Sequence, residues 1–464
     1  MDRNRASFKF SVTQSRDRAG AGPLTVLRAA IPGRTGFALD AFTELLPQGL
    51  VADEAGAVPE GGFELRLQRQ DPPMAPLDEL VLLLHAAAEI EHSLMVQYLY
   101  AAYSLPDQSP QKEWQETLII IARQEMGHLM ATQNLLLALG APLNFEREDY
   151  PFNAFYPFPF KLEPLSTGSL ARYVLAEMPD PAQVPDVDVA VLLADAGSGH
   201  AIPRVGALFV AIEELIAELT SDPVYADSLP FQAKPADWMA GPFSLALREV
   251  PSIGEASSLL DAIAVQGEGP KEAAGGAPSH FRRFHKMYLE AKTHVATTGQ
   301  PLSEAQPTDP TVKDSQASGY LQHAMARAWG ASFNTRYRCL LFTLEHQLAL
   351  ANNDAARGRM RLWAFADMQA LRAMAQLLKQ RPQHEPLRND DLGRPRVAGA
   401  PFELPQTLQM PDRPIDRWRQ HRNLVQFHVE QLRALEADDP LAVELATDVA
   451  DRLAFIAQQL EQQP

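Results

Sequence analysis

Glu125 and His128 stand one helical turn apart inside the apolar run from Thr117 to Ala131. At about 100° per residue, Glu125 falls near the middle of the stripe formed with Leu118, Ala122, Leu129, Thr132 and Leu136, and His128 lies beside it. Burying an ionised carboxylate without a partner costs several kcal/mol, against a net domain stability of roughly 5–15 kcal/mol. Arg123 projects about 200° away around the same helix and is poorly placed to neutralise Glu125. Compensation must come from another helix or from a cation.

Glu91 meets the first requirement. It lies on a stripe with Leu84, Ala88, Met95, Tyr98 and Ala102, whereas Glu89 and His92 point elsewhere. One Glu from one helix and Glu-x-x-His from the next make half of a carboxylate-bridged di-metal site, whose oxygen and imidazole ligands suit iron or manganese, as one or two ions. A Glu–His hydrogen bond in an ordinary core is the competing reading of a lone Glu-x-x-His step. The other half should come from two further helices. Glu213 lies on the flank of the third, with Glu214 nearly opposite; in the fourth, Glu268 ends one segment and His280 opens the next, so that a loop can bring them together. The candidate ligands are therefore Glu91, Glu125, His128, Glu268, His280 and Glu213, with no catalytic role assigned beyond metal binding.

These residues need four helices to hold them. Periodicity predicts helices over 77–103 and 110–139, closed by Pro106 and by Gly140 with Pro142, and the short loop between them makes an antiparallel hairpin. An aromatic-rich crossover over 141–202 follows, with a helix over 169–177. A third helix is expected over 204–220, and a fourth split into 255–268 and 280–294. Two helix pairs joined by one long connection make a ferritin-like four-helix bundle over 76–298. Residues 1–75 read as an extended or β segment and 299–317 as a linker. Residues 318–464 read as a C-terminal helical region, with helices over 319–351, 357–379, 416–436 and 440–462. The fold class is mainly α.

Composition narrows the function. A net charge of −17 disfavours nucleic acid and anionic membrane as partners. The single cysteine, Cys339, excludes an intramolecular disulfide framework and a Cys-rich metal site. The N-terminus lacks the apolar stretch of a secretory signal, and no apolar run reaches the roughly 20 residues of a membrane span, so the cytoplasm is the default location.

The chain resembles the ferritin-like proteins related to the iminophenylpyruvate dimer synthases of bisindole biosynthesis. The resemblance is carried by the segments Glu89–Tyr100, Glu125–His128 with Asn134, Gln266–Gly269 and Ser279–Phe284, and more weakly by Phe333-Asn334 and Ala398–Glu403. It implies that Glu91, Glu125, His128, Glu268 and His280 occupy ligand positions. Relatives often carry a Gly-Glu-Leu-Tyr-like segment where this chain reads Gly206-Ala207-Leu208-Phe209, so the third-helix carboxylate falls to Glu213 or the second ion is weakly held.

The expected function is a non-haem di-metal oxidoreductase acting on a small amino-acid-derived or imine substrate in specialised metabolism, by oxidative coupling. Two alternatives stand beside it: a metal-storage or ligand-binding bundle without oxidative catalysis, and a haem-dependent coupling enzyme, for which no axial ligand is identified. A homodimer is expected by analogy with other bundles. Glu177 matches a family segment without a derivable role, and the Arg336/Arg338 pair reads as solvated charge or an acidic-substrate site.

Overall fold

The computed structural model describes residues 74–147, 160–197, 205–219, 221, 223–224, 226–238, 245–269, 277–404 and 410–462, with a short ladder near the N-terminus. That ladder pairs β1 (Phe10–Ser11) with β2 (Arg28–Ala29), antiparallel, with Phe10 opposite Ala29. The rest of the expected β segment, and most of the aromatic stretch of the crossover, lie outside the described residues.

Two long helices form the spine, α1 (Pro76–Tyr103) and α2 (Gln111–Ala138). Pro76 opens α1 with Asp78 and Glu79 in its first turn, where acidic groups complement the helix dipole. α2 is closed by Gly140, whose φ of 68° is a left-handed conformation that costs glycine little. Nearly every residue of α1 from Ala86 to Tyr103 is buried. One face packs on the bundle, and the opposite face meets the C-terminal helices, where His92 Nε2 contacts the Tyr337 hydroxyl.

The remaining bundle helices are half-length. α3 (Thr167–Ala176) starts at a capping box between Ser166 and Ser169. α4 (Val189–Ala196), which periodicity missed because it spans barely two turns, is framed by Asp188 as N-cap and by Gly197 at φ 69°. α5 (Val205–Glu218), α6 (Ile253–Glu268) and α7 (His280–Thr298) complete the bundle. At one end, Leu80 and Leu84 of α1, Leu135 and Ala138 of α2, Ile216 of α5 and Ile253 of α6 converge on one apolar cavity. At the other, the Tyr98 ring of α1 sits 4.8 Å from both Tyr173 of α3 and Phe284 of α7. Trp114 of α2 donates to Glu290 of α7 at 3.1 Å. Thus α5 and α6 cover one half of the spine, and α3 and α7 the other. The four half-helices end or begin at a common waist, level with the middle of α1 and α2.

The segment expected to be a linker is a pinned strap. Glu304 N donates to Ser104 O and Asp309 N to Leu162 O, both at 2.9 Å, and Gln306 Nε2 donates to Ala398 O at 2.8 Å. Its polar composition mimics a linker because the backbone groups bond to other segments rather than to a helix of their own. A Cβ on Gly319 would lie 2.1 Å from the Asp309 carbonyl oxygen, a backbone atom that cannot swing aside. Gly319→Ala is therefore expected to destabilise the protein by about 1–3 kcal/mol, read as a lowered urea midpoint with unchanged slope.

Beyond the strap lie α8 (Ala324–Leu348), α9 (Ala355–Lys379), α10 (Pro414–Arg433) and α11 (Pro440–Glu461). Their interior carries charge. Asp367 of α9 is fully buried and lies 2.5 Å from Arg336 Nε of α8 and 2.8 Å from Arg452 Nη1 of α11, while Asp448 Oδ2 accepts from both arginines at 2.7 and 3.0 Å. Arg338 forms a two-pronged pair with Glu146. Arg336 and Arg338 are thus neither solvated nor open to a substrate; each has a carboxylate supplied from a distant point in the sequence. Cys339 is buried in the same region, and burial pushes its thiol up to about 12, the behaviour of a core residue rather than a nucleophile. Among the described residues no helix is long and apolar enough to cross a membrane.

Candidate metal centre

The waist collects acidic and imidazole side chains from both spine helices and from the ends of the half-helices. Glu125, at the middle of α2, is 1% exposed, and its two carboxylate oxygens face two rings. His128 Nδ1 lies 2.8 Å from Oε2, and His280 Nδ1 lies 2.8 Å from Oε1. The potential ligand atoms of these three residues lie within 4.8 Å of one another. Each ring also faces a second carboxylate: Glu91 Oε2 is 3.4 Å from His128 Nδ1, and Glu177 Oε2 is 3.7 Å from His280 Nδ1. Two similar lobes result, one of Glu91 with His128 and one of Glu177 with His280, sharing Glu125 between them.

Helix ends set this geometry. His280 is the first residue of α7, behind the N-cap Ser279, whose hydroxyl also donates to Gly269 O at 2.8 Å. That bond ties the end of α6 to the start of α7 across the break. Glu177 is the C-cap of α3, fixed by a 2.6 Å hydrogen bond from the Tyr98 hydroxyl.

Three of the sequence candidates, Glu125, His128 and His280, form the central group, and Glu91 joins it through His128. Glu268 and Glu213 are not among the three residues of that central group. A Cβ on Gly206 would lie 1.9 Å from Glu268 Oε2, so the Glu268 carboxyl fills the space left by that glycine on α5. The reason is angular: Gln266 and Glu268 differ by about 200° around α6, and it is Gln266 that meets His128. Glu213 lies two turns further along α5, about 10 Å from the level of Gly206, and its partner is Asp261 of α6. Burial and that neighbouring carboxyl both raise its pKa. Glu177, from the crossover, is an acid near His280 that the sequence reading did not name as a ligand. Periodicity does not identify it because it caps a helix instead of lying within a stripe; the one available signal was its segment's likeness to the family.

Protonated imidazoles balance the buried carboxylates of the group. Burial alone would raise the Glu125 carboxyl, but His280 and His128 outweigh it and hold it well below the usual range. Burial opposes charge on His280, yet Glu125 and Glu177 lift the imidazole to about 9. His128 is raised in the same way, against burial, by Glu91 and Glu125. Glu91 is pushed up to about 8 by burial, with His128 opposing and Glu125 adding to the shift, and Glu177 is raised by burial and by Glu125. Glu91 Oε2, Glu125 Oε1 and His280 Nδ1 are buried without a hydrogen-bond partner, since the close approach of His280 to Glu125 lacks the angle of a bond. Orphaned buried atoms of this kind need an explanation. Carboxylate oxygens and imidazole nitrogens around one point fit a divalent first-row metal.

Residues 84–289 match the family model described as ferritin-like. They form a ferritin-like domain. The ferritin-like domain holds all five residues of the two lobes. A dichlorochromopyrrolate synthase of Lentzea aerocolonigenes is 25% identical over 392 residues, covering 72% of this chain and 37% of that protein. A 2-imino-3-(indol-3-yl)propanoate dimerase of Chromobacterium violaceum is 31% identical over 164 residues, covering 27% of this chain and 16% of that protein. The matches span well under half the length of either relative. A solved ferritin-like protein from Caulobacter vibrioides is 19% identical, with a TM-score of 0.43 over 64% of this chain and 95% of that one. The resemblance to the dimer synthase family drawn from the motifs thus has its counterpart in two named relatives.

Proposed function

We propose that the chain is a non-haem di-metal oxidoreductase that couples small imino acids oxidatively, with iron or manganese held in the two lobes. The observation that carries the metal assignment is the pair of imidazole Nδ1 atoms at 2.8 Å from opposite oxygens of one buried carboxylate. In this reading Glu125 would serve both ions, Glu91 and His128 would hold one, and Glu177 and His280 would hold the other. Bound metal would supply the one-electron redox chemistry that these side chains lack.

The chain's own residues hold, orient and enclose. Tyr98 keeps one oxygen of Glu177 engaged, so the other stays aimed at His280. Tyr98, Tyr173 and Phe284 pack against one another around that lobe, Tyr98 edge to face on Tyr173, and exclude water there, which strengthens every charge interaction inside. The substrate class rests on the relatives: one is named for the dimerisation of an indole-bearing imino acid. Joining two such molecules by a new carbon–carbon bond releases two electrons and two protons, and dioxygen accepting them as hydrogen peroxide balances the reaction.

The test is mass spectrometry of metal-loaded protein supplied with dioxygen and an indole-derived imino acid. The expected product has the mass of two substrates less two hydrogens, formed only with metal present. Full metal occupancy with no such product would refute the coupling activity and leave the metal centre standing.

A further inference from the structure

We propose that Gln124 and Gln266 are positioning residues that dictate which nitrogen each imidazole offers to a cation, an inference that rests on the metal-centre reading above. His128 Nε2 lies 3.0 Å from Gln266 Oε1, and His280 Nε2 lies 3.1 Å from Gln124 Oε1. A carbonyl oxygen can only accept, so in both rings the proton sits on Nε2. With Nε2 so engaged, Nδ1 is the nitrogen left facing Glu125, whose oxygens lie 2.8 Å from each Nδ1. A contact that close between imidazole nitrogen and carboxylate oxygen needs positive charge between them, a proton on Nδ1 or a cation in its place. The amides therefore select Nδ1 as the gripping atom in both lobes.

The arrangement repeats about Glu125 although its parts come from different helices. Gln124 precedes Glu125 on α2 and reaches His280 of α7, whereas Gln266 belongs to the last turn of α6 and reaches His128 of α2. Gln124 is 4% exposed, and its oxygen also faces Arg283 Nη1 at 3.5 Å; Arg283 Nε in turn donates to Pro278 O at 3.0 Å, at the edge of the helix break. Partners of this kind orient a metal-binding ring and are usually carboxylates, backbone carbonyls or water. A neutral amide performs the orientation without adding negative charge to a waist that already holds Glu91, Glu125 and Glu177.

The experiment titrates the full chain with Co2+ alone, followed by visible absorption, in the wild type and in four single variants: Gln124→Met, Gln266→Met, Gln124→Glu and Gln266→Glu. Methionine keeps the length and removes the acceptor, whereas glutamate keeps the acceptor. Each Met variant is expected to bind Co2+ about 10–100-fold more weakly, with each Glu variant staying within a few-fold of the wild type. Met variants that bind like the wild type, or Met and Glu variants weakened alike, overturn the inference while a metal-binding wild type keeps the metal centre. A wild type that binds no Co2+ refutes the metal-centre reading and this inference with it. Should the Met variants fail to fold, 15N NMR of the histidines in Zn2+-loaded wild type decides: both rings should show metal on Nδ1 and a slowly exchanging proton on Nε2, and metal on Nε2 of either ring overturns the inference.

Discussion

Glu125→Ala is expected to remove nearly all bound metal while leaving far-UV helicity close to that of the wild type. The effect is large because this carboxylate is the one group that faces both imidazoles, at 2.8 Å each. Glu91→Ala and Glu177→Ala each damage one lobe and should each cost about one ion. The fold survives because His128 and His280, left without their shared counter-ion, can lose a proton, and burial favours the neutral ring. The stability cost should therefore stay below the roughly 3–5 kcal/mol of a broken buried pair whose survivor remains charged. Elemental analysis of each variant beside its circular dichroism provides the check. Unchanged metal content in folded Glu125→Ala would remove Glu125 from the site.

Asp367→Ala should be the most destabilising single change in the C-terminal helices, by about 3–5 kcal/mol. Asp367 is fully buried between Arg336 and Arg452, which are 0% and 2% exposed. Here no charge can be shed, because guanidinium groups keep their protons in proteins. Asp448 would be left to balance two cations, and its side chain is 41% exposed, which weakens its hold through solvent screening. Urea denaturation gives the measurement. Combining Asp367→Ala with Arg452→Met should recover part of the loss, since one stranded cation goes with its partner. A single variant within about 0.5 kcal/mol of the wild type would show that the network contributes little.

The two halves of the candidate metal centre were unequally visible in the sequence. Glu91, Glu125 and His128 sit mid-helix on long apolar stripes, where 3.6-residue periodicity fixes direction, and the structure turns them toward one another. At helix ends direction is lost. His280 was found from its place at the start of a helix; on α6 it is Gln266 that contacts His128, while the Glu268 carboxyl lies against Gly206. Glu213 was selected as the nearest acid on an apolar flank, and its neighbour in the structure is Asp261 of α6. Glu177 escaped because its neighbours are brought to it by tertiary structure; Tyr98 lies 79 residues away in sequence. The helices themselves were legible to within a few residues, apart from α4. The Arg336–Asp367–Arg452 network was not legible, since three charged residues on three amphipathic helices look like solvated faces until the helices pack.

Two cations are expected to occupy the waist of the ferritin-like domain, and metal counting tests this most directly. Full-length protein produced with iron and manganese in the medium, freed of loosely held ions by gel filtration, should carry close to two equivalents of transition metal per chain. No retained metal, in a protein whose helicity matches the fold described above, would contradict it.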